Sequence, residues 1–79
     1  MTTREIRELY DARPFRPFAI HMADGRRVKV EHPEFMSFAP SGRSVHVFEP
    51  DGSAHWIDML LVTDLERKPN GAHRRGRKR

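Results

Sequence analysis

The first apolar pattern in the chain predicts an amphipathic helix over residues 3–12. Its apolar residues follow the i, i+3, i+4 spacing that places side chains on one helix face, and they are Ile6, Leu9 and Tyr10. Thr2 and Glu5 have the spacing of a capping box. Pro14 ends the helix, because a proline disfavours helical geometry in the residue before it. Since an isolated helix of about ten residues is marginal in water, we expect it to pack on other elements.

Alternating apolar and polar residues at 18–30 predict a first β-hairpin. A two-residue turn would pair Ile20 with Lys29, an apolar side chain with a charged one. A three-residue turn, with Gly25 in the left-handed conformation, pairs Ile20 with Val28 instead. The second register gives one apolar and one polar face, so we predict the three-residue turn.

A second hairpin is predicted over residues 44–57 by the same kind of turn. Pro50 suits the first corner of a type I turn, and Gly52 suits the left-handed position that follows it. This register pairs His46 with Trp56 across the strands. Between the hairpins, residues 32–40 break the alternation and are interpreted as a bent strand or a packed turn.

The rest of the pattern completes a mainly β fold with an N-terminal helix. Residues 58–61 predict a single tight turn capped by Asp58, and residues 62–65 predict a last strand. We predict that five short strands close into a small antiparallel barrel, because closure removes exposed strand edges and gives the apolar face an interior. The predicted core consists of Ile6, Leu9, Phe18, Ile20, Val28, Val30, Val45, Val47, Ile57, Leu60 and Val62.

The composition of the chain bounds its size and setting. Its 79 residues make one small domain with an apolar fraction of 37% and no cysteine. Small cores that lack disulfides are often completed by self-association, so we expect a homo-oligomer. No apolar run is long enough to cross a bilayer and no secretory signal precedes the helix, which predicts a cytoplasmic protein without a membrane role.

Charge divides the chain into two parts. Residues 1–66 contain eight basic and eleven acidic side chains, a sum of −3, whereas residues 67–79 contain seven basic side chains and no acidic one. We therefore predict a folded domain at 1–66 and a disordered basic tail at 67–79. A segment of this composition binds polyanions by charge and not by shape.

Two basic segments are candidates for binding RNA or DNA through phosphates, without sequence preference. The first is the outward face of the first hairpin, where the predicted register places Ala19, His21, Arg27 and Lys29, with Arg26 at the turn. The second is the tail. The candidate binding residues are Arg26, Arg27, Lys29, Arg74, Arg75, Arg77, Lys78 and Arg79. Trp56 and Tyr10 are interpreted as core residues, so sequence-specific reading of bases is not expected.

Catalysis, metal binding and cofactor binding have little support in the sequence. The five histidines lack the close pairs typical of metal ligands. There is no phosphate-binding glycine loop and no cysteine nucleophile. Asp24 and Asp51 are explained by their turns. We therefore predict a binding protein that is not an enzyme, with no metal and no cofactor.

The order of elements resembles the Sm-like small barrel, with a helix, a hairpin turned at 23–25, a bent strand, a second hairpin, a short turn and a closing strand. This resemblance implies a ring-shaped homo-oligomer that binds RNA. The Tyr-Lys-His segment of the bacterial family aligns with residues 56–58, where Trp56 matches the aromatic residue and Asp58 replaces the histidine. Barrels of the SH3 type have the same element order and usually bind proteins.

The chain also resembles small uncharacterised bacterial proteins with the patterns PFRPF, DGR and HPEF, found here at 14–18, 24–26 and 32–35. That resemblance implies no function. Two functional classes remain open from the sequence. The tail favours a nucleic-acid-binding protein, and the acidic body favours a homo-oligomeric protein-interaction or scaffolding module.

Overall fold

One helix and two three-stranded antiparallel sheets make up residues 2–67, the part of the chain that the computed structural model describes. In chain order the elements are α1 (Thr3–Tyr10), β1 (Phe18–Met22), β2 (Arg27–Val30), β3 (Met36–Phe38), β4 (Ser44–Phe48), β5 (Ala54–Asp58) and β6 (Val62–Glu66). Sheet 1 has the strand order β2-β1-β6, and sheet 2 has the order β3-β4-β5. The buried side chains of both sheets and of α1 form one cluster.

The N-terminal helix is confirmed, with a slightly shorter span than the predicted residues 3–12. The Glu5 carboxylate accepts a hydrogen bond of 3.0 Å from the backbone N–H of Thr2, as the capping-box spacing predicted. Ile6 is fully buried and anchors α1 to the core. The helix ends at Tyr10, whose ring packs against the edge of the core.

The first hairpin has the predicted register, with Ile20 opposite Val28. Its turn depends on Gly25, which has a φ of +94° and donates its N–H to the Met22 carbonyl at 2.9 Å. A positive φ of this kind is strained for residues that carry a Cβ. The three-residue turn therefore fixes which face of β1 and β2 enters the core.

The second hairpin also has the predicted register, which sets His46 opposite Trp56. Gly52 has a φ of +95°, and the Glu49 N–H bonds the Ser53 carbonyl at 2.8 Å where the strands meet the turn. Val45, Val47 and Ile57 lie on the buried face, which leaves the His46–Trp56 pair on the other face.

The prediction of a five-stranded closed barrel is wrong. The structure has six strands in two separate three-stranded sheets and no closed barrel. The reason lies at Pro33, which begins a 3-10 helix at Pro33–Phe35 between β2 and β3. Proline fixes φ and has no N–H to donate to a ladder, so the segment 32–40, interpreted as a bent strand or a packed turn, holds this 3-10 helix and then the short strand β3. The chain passes there from sheet 1 to sheet 2.

The predicted core is confirmed except at the second 3-10 helix, Met59–Leu61. Met59 is buried there, whereas the predicted core residue Leu60 is 84% exposed. Successive residues of a 3-10 helix point in three directions, so only one of these three can face the core. Leu9 packs partly buried against the cluster. The buried residues that the sequence did not predict are Ala19, Met22, Met36 and Met59.

No helix within residues 2–67 is long and apolar enough to cross a membrane.

Candidate functional site

Sheet 1 carries the basic hairpin residues on its outer face. Lys29 and Arg27 lie on β2 opposite Ala19 and His21 of the central strand β1. Ala19 is buried although it faces outward. Its cross-strand neighbours are long charged side chains, whose aliphatic stems cover small residues on a sheet.

Each basic residue of the hairpin lies against a carboxylate. The Arg26 Nε is 2.9 Å from the Asp24 carboxylate, and the Lys29 Nζ is 3.2 Å from Glu31. The Arg27 Nε is 3.7 Å from Glu66. All of these side chains are partly exposed, so the pairs stabilise the fold little. Their main effect is to balance the charge of this face. Without the carboxylates, the face would present a cluster of cations to a phosphate.

Strand β6 supplies the acid that the sequence analysis did not place. It pairs with β1 so that Glu66 lies opposite Ala19 and Asp64 lies opposite His21. The Glu66 carboxylate is 2.8 Å from the His21 Nε2 as well as close to Arg27. Only the β1–β6 register could have revealed this contact, since the two strands are far apart in the chain.

The tail residues Arg74, Arg75, Arg77, Lys78 and Arg79 lie outside the described residues. The sequence gives residues 67–79 seven basic side chains and no acidic one. The two predicted basic segments therefore differ in charge balance. Carboxylates lie beside the cations of the hairpin, whereas the tail sequence contains no acidic residue.

Two histidines within residues 2–67 bond carboxylates across strands. His21 contacts Glu66, as described above, and the His55 Nε2 lies 2.6 Å from a Glu49 oxygen at the start of the second hairpin turn. No group of three or more His, Cys, Asp or Glu side chains in the described part of the chain could hold a metal ion. These histidines act as polar links between neighbouring strands.

Asp58 is placed as its predicted capping role requires. Its carboxylate accepts a 2.9 Å hydrogen bond from the backbone N–H of Leu60 at the start of the second 3-10 helix. A short polar side chain at this position satisfies an amide that the helix itself cannot pair.

The outer face of sheet 2 presents three rings, those of His46, Phe48 and Trp56, which we call the aromatic face. Trp56 is 77% exposed and Phe48 is 50% exposed. The interpretation of Trp56 as a core residue is therefore wrong. The signal was available in the sequence, because a register that buries Ile57 turns its neighbour Trp56 outward.

The ring of His46 packs against the indole of Trp56. The ring centroids are 3.9 Å apart and the planes are inclined by 53°. The His46 Nε2 is buried and has no hydrogen-bond partner among the described residues. Beside the rings lies an open depression of about 160 Å³, lined by His46, Phe48, Ala54, His55 and Trp56. This surface can offer ring faces to a flat ligand.

Comparisons with models of protein families, with curated proteins and with solved structures found no match for this chain. Two features bear on its function: the contrast between the charge-balanced hairpin and the purely basic charges in the sequence of residues 67–79, and the aromatic face of sheet 2.

Proposed function

We propose that this chain is a non-enzymatic nucleic-acid-binding protein of the cytoplasm, whose basic tail contacts phosphates. The observation that carries the proposal is the unequal pairing of charge. The cations of the hairpin lie beside carboxylates, at 2.9–3.7 Å. Residues 67–79 contain seven cations with no acid among them. An unbalanced basic segment attached to an acidic body is suited to a polyanionic partner.

Binding of this kind is driven by the release of counterions from the nucleic acid. The logarithm of affinity should fall with the logarithm of salt concentration, by roughly 0.7–0.9 for each neutralised phosphate. Seven charges within a short segment cannot all meet phosphates, so we expect about four to six effective contacts. Phosphate contacts carry no base sequence, so RNA and DNA of different sequences should bind with similar strength.

The hairpin face has a smaller part in this proposal. Arg27 shares the Glu66 carboxylate with His21, and a phosphate that approached it would also approach that acid. Arg26 is held by Asp24 through its guanidinium, and Asp24 also accepts the Arg26 backbone N–H at 3.0 Å. Since each cation already has a counter-charge, phosphate gains little net attraction there.

Two full-length variants test the proposal, and both replace basic residues with the neutral, polar Gln. The tail variant replaces Arg74, Arg75, Arg77, Lys78 and Arg79 with Gln, and the hairpin variant replaces Arg26, Arg27 and Lys29 with Gln. Fluorescence anisotropy would follow binding of a labelled RNA and a labelled DNA at about 50 and about 200 mM salt. The tail variant should lose most of its affinity and most of its salt slope. The hairpin variant should stay close to the parent.

The thermal midpoint of each variant serves as the control for folding. The tail substitutions should leave it unchanged, because a segment this polar buries almost no apolar surface. The proposal fails if the tail variant binds RNA and DNA as well as the parent does at low salt. Loss of binding in the hairpin variant alone would instead assign the phosphate contacts to sheet 1.

A second candidate function, a homo-oligomeric interaction module, is favoured by the strand edges. In the described residues, the outer strands β2 and β6 of sheet 1 and β3 and β5 of sheet 2 are paired on one side only. Unpaired edges are templates for association with another chain. Light scattering of the full chain at micromolar concentration should then give a multiple of the 9.3 kDa chain mass. A monomer mass would rule out this candidate.

A further inference from the structure

We propose that the aromatic face binds unpaired nucleobases by stacking, so that the nucleic acid bound by this chain is single-stranded. This inference rests on the proposed nucleic-acid function and adds the class of ligand to it. The observation behind it is that Trp56 leaves 77% of its surface exposed on a sheet whose opposite face buries Val45, Val47 and Ile57 in the core. A large ring is costly to expose to water unless a partner covers it.

The geometry of the aromatic face suits a flat ring. The His46 ring packs against the Trp56 ring, with 3.9 Å between the ring centroids. Phe48 lines the neighbouring depression. All three side chains project from paired strands, which hold their backbone positions fixed. A base can therefore stack on the indole without first ordering a loop, and little conformational entropy is lost on binding.

The small size of the depression argues against a ligand that must be enclosed in a pocket. Its volume of about 160 Å³ is below the roughly 300–1,000 Å³ of pockets that enclose a small molecule. The exposed Leu61 does not extend this surface, because it lines a separate depression with Met22, Ala23 and Asp24. One or two stacked bases fit an aromatic surface of this extent.

The lining of the depression does not repel a nucleic acid. None of the residues that line the depression is acidic. Of the two nearest acids in sequence, Glu49 contacts the His55 ring at 2.6 Å. Asp58 lies on the same face of β5 as Trp56, and its carboxylate accepts the Leu60 N–H at 2.9 Å. The seven cations in the sequence of residues 67–79 supply the charge that complements the phosphates of a strand whose bases stack here.

Single-stranded nucleic acid is the form that this surface can recognise. In a duplex, each base already stacks on its neighbours and has no free ring face to offer a side chain. An aromatic side chain on a sheet accepts any base, because every base has a π face. The aromatic face therefore distinguishes strand state, whereas the tail alone would bind single strands and duplexes alike.

The intrinsic fluorescence of the protein provides a direct test, since Trp56 is the only tryptophan in the chain. The full-length protein would be titrated with oligo(U) of about 12 nucleotides, within the site sizes of single-strand binders, and with a duplex of equal length. We expect oligo(U) to quench the emission and the duplex to leave it unchanged. Quenching by both ligands, or by neither while anisotropy reports binding, would overturn the inference.

Substitutions give the second measurement. Trp56→Ala should weaken oligo(U) binding roughly 5- to 150-fold, the effect of losing one stacked base, and should leave duplex binding unchanged. Trp56→Phe should restore most of the affinity. Leu61→Ala is the matched control, because it removes an exposed apolar side chain from the other depression. The fold should tolerate Trp56→Ala, since Trp56 is 77% exposed and lies outside the core.

The outcomes separate this inference from the proposed function. If the tail variant loses binding while Trp56→Ala keeps its full preference for oligo(U), the function stands and the stacking role is wrong. If Trp56→Ala leaves oligo(U) binding intact and lowers the mass measured by light scattering, the aromatic face is a protein interface. If the parent protein binds neither oligo(U) nor duplex at low salt, both proposals fail together.

Discussion

The ring of Tyr10 stands edge-on to the ring of Phe38, with centroids 5.1 Å apart and planes at 81°. The Arg7 guanidinium lies over the same Phe38 ring, 4.1 Å from its centroid. Two successive turns of α1 are thus attached to strand β3 of sheet 2 through one phenyl ring. With Ile6 fully buried, these contacts explain how so short a helix stays folded.

Replacing Arg7 with Ala should reduce the free energy of unfolding by about 0.5–1 kcal/mol, the usual worth of an exposed cation–π contact. Arg4→Ala on the same helix is the matched control, and it should cost nothing because a cation in the first turn opposes the helix dipole. Chemical denaturation of both variants measures the difference. Equal losses would show that the Phe38 contact contributes no stability.

Ile20 and Leu60 should respond to truncation in opposite ways. Ile20 is fully buried, so Ile20→Ala should cost about 2–5 kcal/mol through lost burial and the cavity that remains. Leu60 is 84% exposed, so Leu60→Ala should change the free energy of unfolding by about 0.5 kcal/mol or less. Urea unfolding of the two variants makes the comparison. A large loss for Leu60→Ala would mean that this side chain is covered in solution.

A methyl group at Gly52 should destabilise the second hairpin through backbone conformation alone. The residue has a φ of +95°, and an added Cβ would meet no heavy atom within 4 Å. We therefore expect Gly52→Ala to cost about 1–2 kcal/mol, the strain of a left-handed residue that carries a Cβ. Gly52→Asn should cost less, because Asn tolerates this region better. Thermal unfolding that ranks the two variants equally would contradict this account.

Acid should weaken the fold partly through the turn carboxylates. The backbone N–H of Ser53, 2.8 Å away, holds the pKa of Asp51 below its usual 3.8, and the backbone N–H of Arg26 does the same for the pKa of Asp24. A carboxyl with a lowered folded-state pKa stabilises fully above its ordinary pKa, and the effect is lost as pH falls through the lowered value.

The variant with Asp24→Asn and Asp51→Asn should therefore lose less of its thermal midpoint than the parent between about pH 5 and about pH 2. The amide keeps an acceptor for the turn N–H but does not titrate. Circular dichroism melts at the two pH values measure the loss. Identical losses in parent and variant would show that these carboxylates contribute nothing to acid sensitivity.

Local chemistry made the helix and the two hairpin registers predictable, but not the arrangement of the strands in two sheets. The register of the first hairpin follows from Gly25, and that of the second follows from Gly52, because each turn specifies its own flanking pairs. The passage of the chain from sheet 1 to sheet 2, between β2 and β3, was not predictable in the same way. Pro33 was visible in the sequence, but whether it bends a strand or ends one depends on packing between distant elements.

The candidate site was predictable only in part, for the same reason. The positions of Arg27 and Lys29 on the outer face follow from the hairpin register. The Glu66 carboxylate beside Arg27 depends on the pairing of β1 with β6, which no local pattern encodes. The alternation that buries Ile57 predicts an outward position for Trp56. Trp56 was nevertheless assigned to the core, because large aromatic side chains are usually buried.

The β1–β6 pairing also sets an order for folding. His21 and Glu66 meet across 45 positions, so sheet 1 joins the beginning of the folded chain to its end. Sheet 2 is built from one continuous stretch and has only local loops to close. During synthesis, sheet 2 can therefore form before sheet 1 is complete. The β1 edge of the first hairpin stays unpaired until β6 has been made. We expect closure of this chain-spanning pair to be the slowest pairing to form, because it joins the most distant strands.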